Sequence, residues 1–160
     1  MLKNYKIIVA YDDKKGIGKD LDIPWYIPED LKRLKKLTLN QNIIMGSKTY
    51  QSIINRIGKP LPQRNTIVLS KKINNSDFEN CRFFNSYQEI INEIDSAWIF
   101  GGAEIYKLFL NYSKEIYVTK VKGDYNCNIF FPEIDYSQWN EEILETHDNY
   151  TYIKYIKKCD

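Results

Sequence analysis

The sequence predicts an α/β fold: an open, mostly parallel sheet with helices on its flanks and an antiparallel hairpin at its C-terminal edge. Four short segments lack a polar face, as strands do when a sheet is covered on both sides: residues 7–10, 42–45, 65–69 and 97–100. Helical segments alternate with them, and this order is typical of parallel sheets. Residues 139–145 and 150–157 are two further strands joined by a short turn, which predicts the hairpin.

Length and composition are those of one globular domain. The chain has 160 residues, a mass of 19.1 kDa and a net charge of +2, and we expect a single domain over residues 1–160. This charge is too small to favour nucleic acid or an acidic membrane surface as a partner. The apolar run at residues 5–10 is too short to cross a membrane, and we expect a cytoplasmic protein.

Cysteine and histidine content argues against a metal centre. Cys81, Cys127 and Cys159 are widely spaced, and His147 is the single histidine. Cysteines that are odd in number and far apart favour free thiols in a reducing compartment. One histidine without paired cysteines does not supply a zinc ligand set. We therefore expect no metal ion.

One acidic side chain stands on the apolar side of the first predicted helix. Pro28 suits the first helical position, because its missing N–H costs nothing there. Winding residues 29–38 at about 100° per residue gives an apolar arc: Leu31, Leu34, Leu37 and Thr38. The opposite arc is charged: Glu29, Lys32, Arg33, Lys35 and Lys36. Asp30 falls on the apolar arc shortly after Trp25, and is either a structural cap or a working acid in a cleft.

The stretch before this helix is a candidate lid. Residues 11–20 are polar and contain Gly16 and Gly18, which predicts a loop. Long loops in compact domains are often functional, and this one leads into Pro24 and Trp25. An ordinary surface loop is the alternative interpretation.

Three further helices follow in chain order. Tyr50, Ile53 and Ile54 stand at helical spacing after the second strand. Ser86 and Glu89 form a capping box that predicts the start of the next helix. Residues 103–110 are the last helix, and residues 115–121 alternate as a strand.

Glycine or small polar residues follow three of the buried strands: Gly46-Ser47, Ser70-Lys71 and Gly101-Gly102. Each has an ordinary interpretation, since Ser47 could be a plain helix cap and Ser70-Lys71 a solvated basic turn. However, the carboxyl ends of parallel strands meet at one edge of a sheet, where ligands bind in such folds. Backbone N–H groups at these corners suit phosphate. Three candidate anion contacts at one edge favour a nucleotide.

Several short motifs occur in a specific order: Val9-Ala10, Gly16-Ile17-Gly18, Pro24-Trp25, Pro28-Glu29-Asp30-Leu31, Met45-Gly46-Ser47-Lys48-Thr49-Tyr50, Pro60-Leu61-Pro62-Gln63-Arg64, Phe100-Gly101-Gly102-Ala103 and Phe131-Pro132. Each motif alone is weak, but their order and spacing together are specific. On these motifs the chain resembles the dihydrofolate reductases from about residue 5 to the C-terminus. The fold that this implies is an eight-stranded, mostly parallel sheet flanked by helices, usually as a monomer.

The resemblance implies NADPH-dependent reduction of 7,8-dihydrofolate to tetrahydrofolate, which supplies one-carbon metabolism. Hydride goes to C6 of the pterin and a proton to N5. Asp30 matches the carboxylate that holds the pterin ring, and Trp25 and Thr119 would reach the ring through hydrogen bonds or a water. Burial raises the pKa of such a carboxyl and the helix dipole lowers it, and we expect burial to win. Antifolate inhibitors are plausible ligands.

The implied substrate contacts extend along the cleft: Ile8, Val9, Asp30, Leu31, Leu34, Ile53, Arg64, Phe100 and Thr119. Arg64 matches the residue that pairs with the α-carboxylate of the glutamate tail, a role suited to two parallel guanidinium donors. Without the resemblance, Arg64 would be interpreted as a surface charge.

The implied cofactor contacts lie at the glycine corners and in the lid: Ala10, Ile17, Gly18, Gly46, Ser47, Lys48, Thr49, Leu69, Ser70, Lys71, Phe100, Gly101, Gly102, Ala103, Glu104, Ile105 and Tyr106. Many relatives carry an arginine where this chain has Ser47, so the ribose 2′-phosphate would depend on Lys48, Ser70 and Lys71. The resemblance also implies a cis peptide between Gly101 and Gly102. Asn128 stands where some relatives have an aspartate that hydrogen-bonds the lid.

Two alternative functions remain open on the sequence. A reductase of the same fold could act on a pyrimidine intermediate of riboflavin synthesis or on a different pterin. From another class, the chain could be a non-catalytic nucleotide- or pterin-binding protein. Asp30 together with Trp25 and Arg64 favours the folate interpretation.

Overall fold

The structure is a computed structural model that describes residues 2–19, 22–72 and 78–159. Its strands are β1 (Asn4–Tyr11), β2 (Gly16–Gly18), β3 (Asn42–Gly46), β4 (Asn65–Leu69), β5 (Cys81–Phe84), β6 (Ser96–Gly101), β7 (Ser113–Val121), β8 (Ile129–Phe130), β9 (Trp139–Thr146) and β10 (Tyr150–Lys157). Its α-helices are α1 (Pro28–Thr38), α2 (Ser47–Ile57), α3 (Tyr87–Glu93) and α4 (Ala103–Phe109). Two short 3₁₀ turns, Leu110–Tyr112 and Tyr136–Gln138, complete the described elements.

Eight strands form one sheet in the order β5-β4-β3-β6-β1-β7-β10-β9. The pairs from β5 to β7 are parallel, and β10 runs antiparallel to both β7 and β9. This confirms the predicted α/β fold, the eight strands and the C-terminal hairpin. It also brings the carboxyl ends of β4, β3 and β6 side by side, with Gly46 opposite Leu69 and Met45 opposite Gly101.

The sheet buries both of its faces against helices. Tyr5, Ile7, Val9 and Tyr11 alternate along β1 onto one face and join a cluster with residues of α3 and α4. Ile8 lies on the other face, in a second cluster with residues of α1 and α2. Two-sided burial explains why the central strands lack a polar face in the sequence.

The structure corrects three expectations about local structure. Gly16–Gly18 is a short strand that pairs with Ile129–Phe130, so the predicted loop over residues 11–20 is partly sheet. The edge strand Cys81–Phe84 was not predicted, because it has only four residues and Arg82 interrupts its apolar run. Ser47 is the first residue of α2 and Gly46 is its N-cap, so the expectation of Ser47 as a side-chain cap is wrong. Asp20 lies outside the described residues.

The capping box is confirmed, since the Ser86 side chain accepts a hydrogen bond from the Glu89 N–H at 3.3 Å. Among the described residues, no helix is long and apolar enough to cross a membrane.

Candidate active site

A single carboxyl joins helix α1 to the centre of the sheet. Pro28 opens α1, and this places Asp30 in the first turn, where its N–H bonds the Ile27 carbonyl at 3.0 Å. The Thr119 hydroxyl, on β7, donates to Asp30 Oδ1 at 2.7 Å. Thr119 is 4% exposed and Asp30 is half-buried. One carboxylate oxygen is therefore fixed from the sheet, and Oδ2 has no hydrogen bond among the residues that the structure describes.

The environment of Asp30 favours its neutral form. Burial raises the pKa of Asp30, and the Thr119 hydrogen bond and the charge of Arg33 oppose this rise without cancelling it. The direction is the one expected from the apolar arc. An aspartic acid in this state keeps its proton to a higher pH than an aspartate in water does, as a proton donor must.

Apolar side chains line the same face of the sheet. Ile8, Ile53 and Phe100 are half-buried and pack against the cluster that α1 and α2 cover. Leu34 is half-buried, whereas Leu31 is 53% exposed, so the predicted apolar arc of α1 is not fully covered. Such open apolar surface beside a carboxyl suits a planar ring with one polar edge.

Val9 is not brought to this cleft. Its side chain lies in the core on the α3 and α4 face, because alternation along β1 separates it from Ile8. Trp25 is half-buried just before α1 and packs edge-on against Tyr125, with ring centroids 5.3 Å apart. Trp25 thus links the entry of α1 to the loop after β7.

Arg64 is buried beside Thr38, the last residue of α1. It is 6% exposed, so its interpretation as a surface charge is wrong. Its Nε donates to Thr38 Oγ1 at 3.3 Å and its Nη1 to the Pro62 carbonyl at 3.0 Å. Burial lowers the pKa of Arg64. Among the described residues no carboxylate lies within ion-pair distance of it, so an incoming anion would find this guanidinium without a charged partner.

Arg64 precedes the first residue of β4, whereas Leu69 and Ser70 stand at that strand's far end. Five residues at about 3.3 Å each separate the two ends by roughly 16 Å. A ligand that reaches both the sheet's carboxyl edge and Arg64 must be elongated.

Glycines at the carboxyl edge of the sheet allow a ligand to approach the protein backbone closely. The N-caps of α2 and α4 are Gly46 and Gly102, so neither helix has a side-chain cap from its N-cap residue. A Cβ on Gly46 would lie 3.1 Å from Ile105, and a Cβ on Gly102 would meet nothing within 4 Å. The peptide between Gly101 and Gly102 is cis, as expected.

The Tyr106 side chain, on α4, contacts the backbone of β1 and β6 near this edge. It is buried, and its hydroxyl lies 2.8 Å from the Ile8 carbonyl and 2.9 Å from the Phe100 carbonyl. Burial raises the pKa of Tyr106, so the hydroxyl stays neutral. A Cβ on Gly101 would lie 2.8 Å from its ring, which leaves glycine as the residue that fits. Ala103 is half-buried, Ile105 is buried in the core and Glu104 is exposed.

Polar side chains occur in the first turn of α2 and just after β4, the strand that pairs with β3 beside it. Lys48 and Lys71 are exposed, while Ser47 and Thr49 are half-buried in the first turn of α2. Ser70 is buried, and its Oγ accepts from the Lys72 N–H at 3.3 Å. Glycine corners, uncapped helix starts and nearby lysines fit the phosphates of a dinucleotide such as NADPH.

The lid is tied to the loop after β7 by Asp12, which sequence reasoning missed. Asp12 is fully buried, and its Oδ1 accepts from the N–H groups of Lys14 and Gly16 at 2.9 and 2.8 Å. Its Oδ2 accepts from the Tyr125 N–H at 3.0 Å. The only sequence signal was an acid four residues before a glycine, which many solvated loops share.

The candidate lid contains two of the predicted cofactor residues, Ile17 and Gly18, and Ala10 directly precedes it. Ile17 is half-buried against the core, and the Gly18 carbonyl accepts from the Asn128 N–H at 3.0 Å. That contact uses the backbone of Asn128. Ala10, half-buried beside the lid, pairs with Thr119 in the sheet.

Comparison with known proteins agrees with this arrangement. A family model described as dihydrofolate reductase matches residues 4–157. The dihydrofolate reductase of Staphylococcus haemolyticus is 37% identical over 142 residues, which is 87% of this chain and 82% of the relative. That of Bacillus subtilis is 34% identical over 161 residues, 94% of this chain and 93% of the relative.

A solved structure extends the agreement to three dimensions. Dihydrofolate reductase from Enterococcus faecalis, in complex with NADP(H) and RAB-propyl, superposes with a TM-score of 0.81 at 28% identity. The match covers 99% of each chain. Fold, motifs and whole-length similarity lead to one conclusion: the chain belongs to the dihydrofolate reductase family.

Proposed function

We propose that the cleft between α1 and β7 is where this chain carries out its reaction, with Asp30 as the catalytic acid. The chain is an oxidoreductase that uses NADPH to reduce 7,8-dihydrofolate to 5,6,7,8-tetrahydrofolate for one-carbon metabolism. Family membership decides against the pyrimidine substrate, the other pterins and the non-catalytic role. The observation that carries the assignment of Asp30 is its position: a half-buried carboxyl, fixed through one oxygen by Thr119, beside half-buried apolar side chains.

In this cleft Asp30 has two roles, to orient the pterin and to hold a proton. Thr119 occupies Oδ1, so Oδ2 faces the ring and carries the exchangeable proton. NADPH, when bound, supplies the hydride that C6 accepts. Ile8, Ile53 and Phe100 exclude water from the ring, which strengthens the contact with Asp30. Trp25 closes the cleft at the start of α1.

The pyrophosphate of NADPH and the tail carboxylate of dihydrofolate bind at opposite ends of β4. Gly46, Gly101 and Gly102, with the first-turn N–H groups of α2, hold the pyrophosphate at the carboxyl edge. Arg64 binds the tail carboxylate of dihydrofolate at the opposite end of β4. Antifolate inhibitors that present a cationic ring to Asp30 would bind in the same cleft.

The free thiols Cys81, Cys127 and Cys159 support a reducing compartment, and we infer a cytoplasmic location. We also infer that the chain acts as one domain and as a monomer. One continuous sheet with helices on both faces supports this inference. Sedimentation equilibrium at micromolar concentration tests the monomer directly.

Replacing Asp30 by asparagine tests the acid. Asn keeps an oxygen for Thr119 but cannot donate a proton, and we expect hydride transfer to fall by about 10²- to 10⁴-fold and to lose its pH dependence. The readout is the single-turnover loss of NADPH absorbance from pH 5 to 9, with deuterated cofactor as a check on the step. Full activity in Asp30→Asn would contradict the assignment.

The same variant should be more stable than the parent chain. The raised pKa of Asp30 means that its ionised form destabilises the folded state. Below the ordinary aspartate value of about 3.9 both states are protonated and the penalty vanishes. As pH rises through the folded-state pKa the penalty grows, so the urea midpoint of Asp30→Asn should exceed the parent's by more at pH 8 than at pH 4.

Replacing Arg64 by lysine tests the tail contact. Lysine presents a point charge instead of a planar fork, and we expect the Michaelis constant for dihydrofolate to rise about 10- to 100-fold with kcat little changed. Because Arg64 also bonds Thr38, a dihydropterin without the glutamate tail serves as the control. Equal losses on both substrates would show that Arg64 acts through the fold alone.

Replacing Lys48 by alanine tests recognition of the 2′-phosphate. We expect kcat/KM for NADPH to fall about tenfold, the size of one charge-assisted hydrogen bond, and kcat/KM for NADH to stay unchanged. Lys59→Ala, at an exposed lysine just beyond the other end of α2, is the matched control. A parallel fall for both cofactors would remove Lys48 from phosphate recognition.

A further inference from the structure

The Arg33 side chain is more buried than its position on the charged arc of α1 predicts. The wheel assigned it to the charged arc of α1, yet it is half-buried and its guanidinium lies over the ring of Tyr152, 3.9 Å from the centroid. The ring of Tyr117 is 6.0 Å away. Stacking on aromatic faces is a common way to hold a guanidinium in one place.

Neighbouring positions and contacts link four residues of α1, β7 and β10: Asp30, Arg33, Thr119 and Tyr152. Arg33 follows Asp30 by three positions, so both side chains lie on neighbouring parts of one helical face. On the sheet, Tyr152 of β10 stands directly opposite Thr119 of β7. Thr119 bonds Asp30, and Tyr152 holds Arg33. Thr119 and Tyr152 face each other on adjacent strands. Thr119 therefore holds Asp30 and Tyr152 holds Arg33 at neighbouring points of the sheet.

The positive charge of Arg33 has no close neutralising partner. Within the described ranges, no carboxylate lies within 4.0 Å of its guanidinium. Tyr152 is buried, and burial raises its pKa, so the ring beneath Arg33 stays uncharged. Asp30 is thus the acid on which this cation acts.

We propose that Arg33 is a positioning residue for the reduction: stacked on Tyr152, it lowers the pH at which the Asp30 carboxyl takes up its proton. This inference rests on the proposed role of Asp30. Without Arg33 the buried carboxyl would be protonated over a wider range, and the ionised form that orients a protonated pterin or a cationic inhibitor would be less populated at neutral pH.

The other groups near Asp30 do not duplicate this role. Thr119, on β7, is a neutral donor, and Tyr152, on β10, is neutral. Behind Tyr152, the hairpin places Tyr150 at 5.3 Å and His147 at 5.8 Å between ring centroids. His147 bonds Glu145 at 3.1 Å. These groups contact Tyr152, and no hydrogen bond or ion pair between them and Asp30 is found among the described residues.

Further along the same strands, charges are already paired. Lys154 Nζ lies 2.9 Å from a carboxylate oxygen of Glu115, and Lys6 lies 4.0 Å from the other oxygen. On α1 itself, Glu29 and Lys32 are exposed and solvated. On the same helix, Arg33 is half-buried and three residues from Asp30, and its charge lowers the pKa of the Asp30 carboxyl.

The test is the pH profile of single-turnover hydride transfer in Arg33→Gln. Loss of the positive charge should move the midpoint to higher pH, with a severalfold faster rate on the alkaline limb and an unchanged acid plateau. Lys32→Gln removes the same charge from the exposed side of the same helix and should leave the profile unchanged. Arg33→Lys keeps the charge and should return the midpoint most of the way toward the parent's.

Ionic strength gives a second readout that a purely structural role would not move. Screening should raise the midpoint of the parent chain toward that of Arg33→Gln, and should have much less effect on Arg33→Gln itself. Thermal unfolding followed by circular dichroism checks that each variant is folded. If Arg33→Gln does not fold, the proposal is tested by the salt dependence of the parent's midpoint and by the pH profile of Arg33→Lys.

The inference is overturned if Arg33→Gln and Lys32→Gln have the same midpoint, if the midpoint falls, or if the rate changes equally at every pH. Failure of the proposed function looks different. If Asp30→Asn retains the parent's rate and pH profile, the acid itself is misassigned. If Asp30→Asn flattens the profile while Arg33→Gln leaves it unmoved, only the role of Arg33 is lost.

Discussion

The hydrogen bond between Thr119 and Asp30 is the contact on which the site depends. It joins the first turn of α1 to the C-terminal part of β7, so the position of the helix on the sheet and the position of the acid are fixed together. Burial there makes the ionised carboxyl costly, which raises its pKa. The result is a carboxyl whose pKa is raised by burial beside half-buried apolar side chains, and a raised pKa suits a group that delivers a proton.

The sheet distributes the remaining contacts along its length. Gly46, Gly101 and the N-terminus of α2 stand at its carboxyl edge, and Arg64 stands at the opposite end of β4. Asp12 holds the lid by three backbone hydrogen bonds and so links it to the loop whose Tyr125 packs against Trp25. The buried Asp12 and the half-buried Asp30 therefore differ in their partners, because both oxygens of Asp12 accept from backbone N–H groups, whereas Asp30 Oδ2 has no hydrogen bond among the described residues.

The sequence predicted the parts that follow from local pattern. Pro28 and the apolar arc located Asp30, and strands without a polar face predicted the parallel sheet. The surroundings of Arg33, Val9 and Arg64 could not be predicted in this way, because they depend on tertiary contacts. Arg33 was assigned to the solvent by its wheel angle, because a wheel ignores a side chain long enough to reach Tyr152. Val9 could not be separated from Ile8 until the strand's faces were known. The burial of Arg64 depends on the end of α1, which no local signal near residue 64 reveals.

A titration of the Asp30 carboxyl itself tests its role as the acid most directly. In protein labelled with ¹³C-aspartate, with Asp30→Asn used to assign the resonance, the chemical shift from pH 3 to 9 reports its pKa in the free enzyme. We expect a value above the ordinary aspartate value of about 3.9, and a further rise in Arg33→Gln. A value at or below the ordinary one would mean that Thr119 and Arg33 together outweigh burial, and the carboxyl could not serve as the acid described here.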